Sequence, residues 1–267
     1  MRLLIDDTFA TGTYTVPITS GWVSSPEGIE VEIAHRLTPG SASDESIVLA
    51  PSSEILPLQQ THQVSGDAAV IADGNGAIAM RTPVRPDEVE ATPVRLLDTS
   101  GVAELLARAT LRPFYGIEPT TWVRDGDAPE AARAEAVIVE GAEALREPEA
   151  GFSEDLSRAW FILTAQPVVS HVLLVPSALP PDDLTNALTF LDAARTEGLA
   201  RRRDWRPQLA DREGVGRDRA SAFWAAQRLN MALADRRALL DLLGKGSRGT
   251  SSPPPANVTF IDGAGSQ

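Results

Sequence analysis

Short apolar runs alternate with longer amphipathic segments along most of the chain. Runs typical of strands occupy residues 2–5, 29–34, 46–50, 68–72, 77–81, 94–97, 136–139, 160–163 and 168–175. In the second run apolar and charged residues alternate strictly, as in a strand with one buried face. Apolar residues at helical spacing follow at 102–111, 182–196 and 219–243. Strands that alternate with helices predict an α/β protein with a mainly parallel sheet.

The order of these segments predicts two lobes separated by a central cleft. Strand material dominates to about residue 82, a strand–helix–strand unit follows to about 165, and helices close the chain. We expect residues 1–85 and 174–246 to form the first lobe and 86–173 the second. The chain would cross between the lobes near 81–93 and 166–173, with the C-terminal helices packed on the first lobe. Residues 247–267 are rich in Gly, Ser and Pro and predict a flexible tail, although 258–261 has the composition of an edge strand.

Composition narrows the class of function. The formal net charge of -13 argues against nucleic-acid binding, which needs clustered Lys and Arg. The chain has no cysteine, so disulfides, thiolate metal sites and Cys nucleophiles are excluded. Neither a secretory signal nor the roughly 20 apolar residues of a membrane span is present. These features predict a soluble cytoplasmic protein, whose oligomeric state the sequence leaves undetermined.

Polar residues at the predicted strand ends are the candidates for ligand binding. Hydroxyls and free N–H groups at a helix start suit a carboxylate, and Thr99-Ser100-Gly101 opens a predicted helix. The alternative is that these residues form an ordinary helix cap. Glu140-Gly141 ends another strand and either faces a ligand or makes a plain strand-to-helix turn. His171 lies within an apolar run and is either a core residue or a cleft-facing one.

No cofactor or metal motif is present. The chain lacks HExxH, a phosphate loop, GxGxxG and a Ser nucleophile elbow with a plausible His partner. Asp6 and Asp7 are adjacent in a strand and would point to opposite faces, which argues against a shared metal ion. The residues alone therefore indicate a soluble two-lobed binder of a small organic anion.

Five segments, in order, resemble the chorismate dehydratase family of the futalosine route to menaquinone. They are IVLAPSSEIL (47–56), DGNGAIAMRTPVRPDEV (73–89), VRLLDTSGVAELL (94–106), EAVIVEGAEAL (135–145) and DLSRAWFILTAQPVVSHVLLV (155–175). The chain is similar as well to the sister family, the 1,4-dihydroxy-6-naphthoate synthases, whose Asp-Thr-Phe opening matches Asp7-Thr8-Phe9. The resemblance implies a type II periplasmic-binding-protein fold. It implies loss of water from chorismate, giving 3-[(1-carboxyvinyl)oxy]benzoate without a cofactor.

The chain departs from the dehydratase pattern at three places. Phe9-Ala10-Thr11 stands where the family has Tyr-Leu-Asn, and Gly101-Val102-Ala103-Glu104 replaces Ser-Arg-Thr-Ser. The Ile-Gly-Asp turn has become Glu140-Gly141-Ala142. If catalysis is retained, Thr11 and Glu140 would take the vacated roles.

The resulting expectation is a carbon–oxygen lyase with a site in the cleft. The expected catalytic residues are Thr11, Ser52, Ser100 and Glu140, and the expected ligand-binding residues are Ser53, Asn75, Thr99, Gly101, Gly141 and His171. Two alternatives stay open. One is a naphthoate-synthase-like enzyme, although Val139 or Glu140 stands where that family has a histidine. The other is a non-catalytic binding protein for a small carboxylate on the same fold.

Overall fold

The computed structural model describes residues 1–37, 45–124 and 131–261. The strands are β1 (Arg2–Asp6), β2 (Glu30–Ala34), β3 (Ser46–Pro51), β4 (His62–Ala72), β5 (Ile78–Thr82), β6 (Ala91–Leu96), β7 (Glu118–Arg124), β8 (Ala136–Glu140), β9 (Phe152–Asp155), β10 (Val168–Pro176), β11 (Gln227–Arg228) and β12 (Phe260–Ile261). The helices are α1 (Gly12–Thr19), α2 (Ile55–Leu58), α3 (Gly101–Thr110), α4 (Ala142–Leu145), α5 (Leu156–Thr164), α6 (Pro181–Ala200), α7 (Arg202–Arg212), α8 (Arg217–Ala225) and α9 (Leu233–Gly246).

The strands form two separate sheets. In the first, the order is β11-β4-β10-β3-β1-β2, with β12 added to β4. In the second, the order is β7-β6-β8-β5-β9. Each sheet has its own buried cluster of Leu, Ile and Val side chains, and the largest fully buried side chain is Trp160 in the second lobe. The two-lobed α/β architecture expected from the sequence is therefore present.

Both sheets are mixed, whereas the sequence predicted mainly parallel pairing. β1 is parallel to β2 and β3, but β10 runs antiparallel to both β3 and β4. In the second sheet β6 is parallel to β7 and β8, but β5 is antiparallel to β8 and β9. These antiparallel pairs are made by β5, the first strand after the chain enters the second lobe, and by β10, the first strand after it returns to the first lobe. Each of these strands follows a crossing between the sheets and is not part of a strand–helix–strand unit.

The strand pairing shows that the chain first crosses between the sheets earlier than the sequence predicted. The crossing predicted near 81–93 was wrong, because β5 already pairs in the second sheet. The chain changes sheet at 73–77, in a turn that has the composition of a hairpin loop but joins strands of different sheets. It returns at 165–167, and the whole of β10 lies in the first sheet. We therefore propose lobe boundaries at these two segments rather than at residues 85 and 173.

The C-terminal helices contact both lobes and not the first lobe alone. α6 packs on α1 in the first lobe, but α9 packs against both α3 and β10. Helices α7 and α8 form an aromatic cluster with Phe9 of the first lobe, Ala77 of the crossing and Leu145 of the second lobe. They therefore tie the two lobes together at one end of the cleft.

The segment after α9 returns to the first sheet at residues 258–261. Phe260 and Ile261 pair with β4, and Val258 and Phe260 pack against buried residues of the first lobe. Gln59 fixes the preceding turn, accepting from the Ala256 N–H at 3.0 Å and donating to the Pro254 carbonyl at 3.1 Å. The edge-strand interpretation of 258–261 is thus confirmed. The tail expected to be flexible from 247 is anchored at least at Gln59 and at β12. Residues 262–267 lie outside the described part of the chain.

Two kinds of feature are missing from the described ranges. Within 1–37, 45–124 and 131–261, no helix combines the length and apolar character that crossing a membrane requires. In the same ranges, no group of three or more His, Cys, Asp or Glu side chains is arranged to hold a metal ion.

Candidate functional site

A cavity of about 430 Å³ lies between the two lobes. The first lobe contributes the loop after β1, the turn after β2 and the start of β10. The second lobe contributes the ends of β6 and β8 with the turn that follows β8, and α7 and α8 cover one side. Small-molecule sites commonly fall between about 300 and 1,000 Å³, so this cavity suits a ligand of one or two rings.

A buried Asp–His pair reaches the cavity wall. Asp6 Oδ2 lies 3.2 Å from His171 Nε2, and both residues are almost completely buried. His171 Nδ1 lies 3.1 Å from Ser170 Oγ, and Ser170 and His171 both line the cavity. His171 thus has features of both interpretations, because it is buried with a partner at each ring nitrogen and also lines the cavity. Asp6, which sequence reasoning considered only as a metal ligand, orients the imidazole.

The Ser170 hydroxyl can satisfy His171 in either protonation state. When the ring is neutral, Nε2–H donates to Asp6 and Nδ1 accepts from the Ser170 hydroxyl. When Nδ1 carries a proton, it donates to Ser170 Oγ, whose hydroxyl then donates to the Val70 carbonyl at 3.1 Å. Rotation of one hydroxyl thus allows His171 to accept or release a proton at the cavity wall.

Asp6 also positions the segment that carries Arg36. Its Oδ1 accepts from the Leu37 N–H at 2.6 Å, while His35 Nδ1 lies 3.1 Å from the Asp7 carbonyl. These contacts hold the turn after β2 against the end of β1. The Arg36 side chain consequently extends from the first lobe toward the second.

Arg36 bridges the cleft through two ion pairs. Its Nε lies 2.7 Å from Asp98 Oδ1, and its Nη1 lies 3.1 Å from Glu140 Oε2. Arg36 and Asp98 both have positive φ, at 54° and 46°, a conformation that non-glycine residues seldom adopt. Such backbone persists only where surrounding contacts hold it, and it is concentrated at functional sites.

The side chain of Glu140, at the end of β8, reaches the start of α3. Its carboxylate accepts from the Ser100 N–H at 2.6 Å and from the Ser100 hydroxyl at 2.9 Å. The helix start that the sequence offered to a ligand carboxylate is thus occupied by a carboxylate of the chain itself. Gly141, whose φ of 67° suits glycine, turns the chain and donates its N–H to the Ala77 carbonyl at 2.7 Å.

Three of the ten predicted site residues line the cavity: Glu140, Gly141 and His171. The other seven lie outside its wall: Thr11, Ser52, Ser53, Asn75, Thr99, Ser100 and Gly101. The fold itself uses several of their hydroxyls, and a ligand-binding role for these seven residues stays a prediction. Thr11 donates to the Asp6 carbonyl at 2.6 Å and Ser52 to the Val169 carbonyl at 2.7 Å.

Two more of these residues, Ser53 and Gly101, lie in the contact between the lobes. A Cβ placed on Gly101 would lie 2.6 Å from Ser53 Oγ, so the start of α3 packs closely on the segment after β3. Ser53 and Gly101 therefore belong to the seam between the lobes, beside the cavity. Glu54 is buried in the same segment, and burial raises its pKa to about 7.

Aromatic side chains form one wall of the cavity. Phe9 stacks on Trp224 with ring centroids 4.5 Å apart and packs on Phe223 at 5.7 Å. Phe9 and Phe223 line the cavity, and Trp224 supports them from behind. This wall suits the face of a planar or nearly planar ring.

The other two arginines of the wall, Arg146 and Arg212, are paired with carboxylates. Arg146 contacts Glu143 at 2.6 Å and donates from Nε to the Glu213 carbonyl at 2.7 Å, while Arg212 contacts Glu213 at 3.0 Å. Like Arg36, each lining arginine therefore has a carboxylate partner. An anionic ligand has to compete with one of these carboxylates for its arginine.

Gly76, in the segment where the chain first crosses between the sheets, packs closely against Ser157. A Cβ on Gly76 would lie 2.1 Å from Ser157 Oγ, and both residues line the cavity. Asp155 begins α5 by accepting from the N–H groups of Ser157 at 2.8 Å and Arg158 at 3.2 Å. Burial raises the pKa of Asp155 to about 7.

Sequence reasoning missed Arg36, Ser170 and Phe9, and gave Asp6 no role in the site. Ser170 precedes a buried histidine, and Asp6 ends a buried strand, so both carried a weak signal. Arg36 follows a strand as one charged residue among many, and only the placement of the lobes shows that it spans the cleft.

Solved structures of similar fold share little sequence with this chain. Protein AF1704 from Archaeoglobus fulgidus is 13% identical with a TM-score of 0.64, over 92% of this chain and 96% of its own. The Candida albicans CA3427 gene product, described as having the generic periplasmic binding protein fold, is 10% identical with a TM-score of 0.64, over 98% and 96%. The Escherichia coli periplasmic aliphatic sulphonate binding protein SsuA is 11% identical with a TM-score of 0.56, over 91% and 84%. These likenesses establish a periplasmic-binding-protein-like fold.

Family membership rests on a separate comparison. No curated protein matches the chain significantly. The family model for menaquinone biosynthesis matches residues 41–248. This match spans both lobes and most of the segments that line the cavity. The chain therefore belongs to the menaquinone biosynthesis family.

Proposed function

We propose that the protein is a lyase of menaquinone biosynthesis that removes water from chorismate to give 3-[(1-carboxyvinyl)oxy]benzoate. The observation that carries this proposal is the buried Asp6–His171 pair, which reaches the cavity between the lobes beside Ser170. Membership of the family and the aromatic wall of the cavity support it. The cytoplasmic location expected from the sequence stays a prediction.

The proposed reaction needs one group that handles a proton. A C–H bond of the ring breaks and its proton passes to His171 Nδ1, directly or through the Ser170 hydroxyl. The electron pair forms a ring double bond as the C–O bond breaks. The departing hydroxyl takes the proton from the imidazolium and leaves as water, so His171 returns to its neutral state. Asp6 stabilises the imidazolium that forms between the two transfers.

Aromatisation provides much of the driving force, so the protein chiefly orients the substrate. The ring would lie against Phe9, which places its edge toward Ser170 and His171. A carboxylate of the substrate would be held by an arginine of the wall. Positioned groups of this kind lower the barrier because they need little reorganisation during the reaction.

Turnover of chorismate tests the proposal. Purified full-length protein is incubated with chorismate, without added metal or nucleotide, and product is followed by mass-resolved chromatography. We expect product from the natural chain and a loss of about 10²–10⁴-fold in His171→Gln, since general acid–base groups contribute on that order. The matched control is His62→Gln, because His62 is also buried but contacts Thr61 and the Ser46 carbonyl away from the cavity. Product no higher than the spontaneous background, or equal losses in both variants, would refute the proposal.

A second candidate is non-catalytic binding of a small carboxylate. The use of the expected donor hydroxyls by the fold, and of Glu140 by the helix start, favours this function. Measurable binding of a ring carboxylate without turnover of chorismate would identify it. The naphthoate-synthase-like alternative is supported by Asp7, Thr8 and Phe9, all of which line the cavity.

A further inference from the structure

We propose that Arg36 binds the carboxylate of the ligand and that Glu140 is the internal carboxylate with which the ligand competes. The inference rests on the proposed function for one point only, namely that the ligand is a ring carboxylate. It assigns the residue that recognises the anionic group. It also predicts that two neighbouring residues of opposite charge affect binding in opposite directions.

Arg36 is the most enclosed arginine of the cavity wall. Its side chain is 20% exposed, compared with 41% for Arg146 and 72% for Arg212. A guanidinium that is shielded from water holds a carboxylate more strongly than an exposed one, because less screening opposes the attraction. Arg36 is therefore the strongest anion-binding group that the wall offers.

The backbone around Arg36 is fixed before any ligand arrives. The Leu37 N–H is held by Asp6, the same carboxylate that orients His171. The positive φ of Arg36 directs its side chain across the cleft, where it meets Asp98, itself at positive φ. Because Asp6 holds both His171 and the turn that carries Arg36, it would fix the position of a carboxylate bound to Arg36 relative to His171.

Glu140 shares its carboxylate between Arg36 and the start of α3. Its side chain is 10% exposed, and Ser100 supplies two of its contacts, at 2.6 and 2.9 Å. The contact with Arg36 is the longest of the three, at 3.1 Å. A ligand carboxylate can take that contact while Glu140 keeps both contacts with Ser100. The charge of Glu140 therefore opposes ligand binding, and the charge of Arg36 favours it.

The test uses benzoate as a probe and benzyl alcohol as its uncharged counterpart, with binding measured by calorimetry at constant ionic strength. The natural chain should bind benzoate in preference to benzyl alcohol. Arg36→Gln should weaken benzoate binding about tenfold to a hundredfold, since a charge-assisted contact is lost. Glu140→Gln should strengthen benzoate binding severalfold, because the competing charge is removed and the amide oxygen still accepts from Ser100.

The matched controls are Arg2→Gln and Glu32→Gln, which remove the charges of a surface ion pair between β1 and β2. Neither should change the affinity for benzoate. If Arg36→Gln does not fold, Arg36→Lys keeps the charge without the planar fork and should show an intermediate affinity.

Several results would overturn the inference. Equal weakening by Arg36→Gln and Glu140→Gln would show that the bridge between the lobes acts only on structure. Equal binding of benzoate and benzyl alcohol, or no effect of either variant, would place carboxylate recognition elsewhere. The outcome is separate from that of the proposed reaction. If the two variants shift benzoate affinity in opposite directions but chorismate is not turned over, the role of Arg36 and Glu140 is supported and the proposed reaction is refuted. If chorismate is turned over without those shifts, the proposed reaction is supported and the role of Arg36 and Glu140 is refuted.

Discussion

One carboxylate, that of Asp6, contacts His171 through one oxygen and the backbone of Leu37 through the other. His171 and the turn that carries Arg36 are therefore fixed by the same side chain. Because Asp6 and His171 are almost fully buried, neither contact is replaced easily by water.

The first prediction concerns Asp6→Asn. The amide oxygen still accepts from the Leu37 N–H, so its NH₂ group faces His171 Nε2 and forces that nitrogen to accept. The proton then moves to Nδ1, which removes the acceptor that faces Ser170. We expect kcat for chorismate to fall about 10²–10⁴-fold with little change in KM, an effect known from the wrong tautomer in serine proteases.

A readout that does not depend on activity accompanies this prediction. Nitrogen NMR of the imidazole should show Nε2–H in the natural chain and Nδ1–H in Asp6→Asn. Asp67→Asn is the control, because Asp67 accepts from Ser65 away from the cavity. An unchanged tautomer in Asp6→Asn would contradict the assignment of Asp6 as the orienting group.

The second prediction is a decrease in stability as pH rises. Burial raises the pKa of Glu54 to about 7, above the value of about 4.5 of the unfolded chain. A raised carboxyl pKa means that the folded state holds its proton more tightly, so the stabilisation is complete below about pH 4.5. It is lost as pH rises through about 7. The loss in the free energy of unfolding from Glu54 should approach about 3 kcal/mol.

Urea unfolding at pH 5, 6.5 and 8 measures this effect. Glu54→Gln should show a smaller decrease than the natural chain and should be the more stable of the two at pH 8. Asp155, whose pKa burial raises to about 7, contributes in the same direction and accounts for part of the remaining slope. Identical dependence of the free energy of unfolding on pH in Glu54→Gln and the natural chain would show that Glu54 does not cause the loss of stability.

The third prediction concerns the turn at Gly141. Its φ of 67° is unfavourable for any residue with a Cβ, although space exists, since the nearest side-chain atom is Phe9 Cβ at 3.9 Å. Gly141→Ala should therefore lower the free energy of unfolding by about 1–3 kcal/mol through backbone strain alone. Gly216→Ala, at a position with ordinary φ and no neighbour within 4 Å, should cost much less. Equal losses in the two variants would rule out a conformational requirement at Gly141.

The fourth prediction concerns Phe260. Its ring packs against the first lobe, with the Arg236 guanidinium 5.1 Å from the ring centroid, and its backbone pairs with β4. Phe260→Ala should lower the melting temperature by several degrees, because a partly buried aromatic side chain contributes roughly 1–3 kcal/mol. Thr259→Ala, next to it and exposed, should leave the melting temperature nearly unchanged. A negligible effect of Phe260→Ala would mean that β12 adds nothing to stability.

The two lobes could be predicted from the sequence, but most residues of the cavity wall could not. Hydrophobic periodicity located most strands because it reports local burial, and the order of strands and helices implied two lobes. The first crossing was misplaced because a Gly-Asn-Gly turn looks alike whether its strands share a sheet or not. Hydroxyls such as Thr11 and Ser52 were at the predicted strand ends, but local sequence does not show that backbone carbonyls already accept from them. Arg36 and Glu140 meet only because the two lobes face each other, a relation without a local signal.

The bridge that α7 and α8 make between the lobes has a consequence for kinetics. Arg146 donates to the Glu213 carbonyl, and Arg219 pairs with Glu147 and donates to the Leu145 carbonyl, so contacts from both helices hold the second lobe. A movement that separates the lobes at this end of the cleft has to break some of these contacts. We expect the residence time of a molecule in the cavity to depend on them as well as on its own contacts. Because one of the contacts is an exposed ion pair, dissociation should accelerate as salt is added.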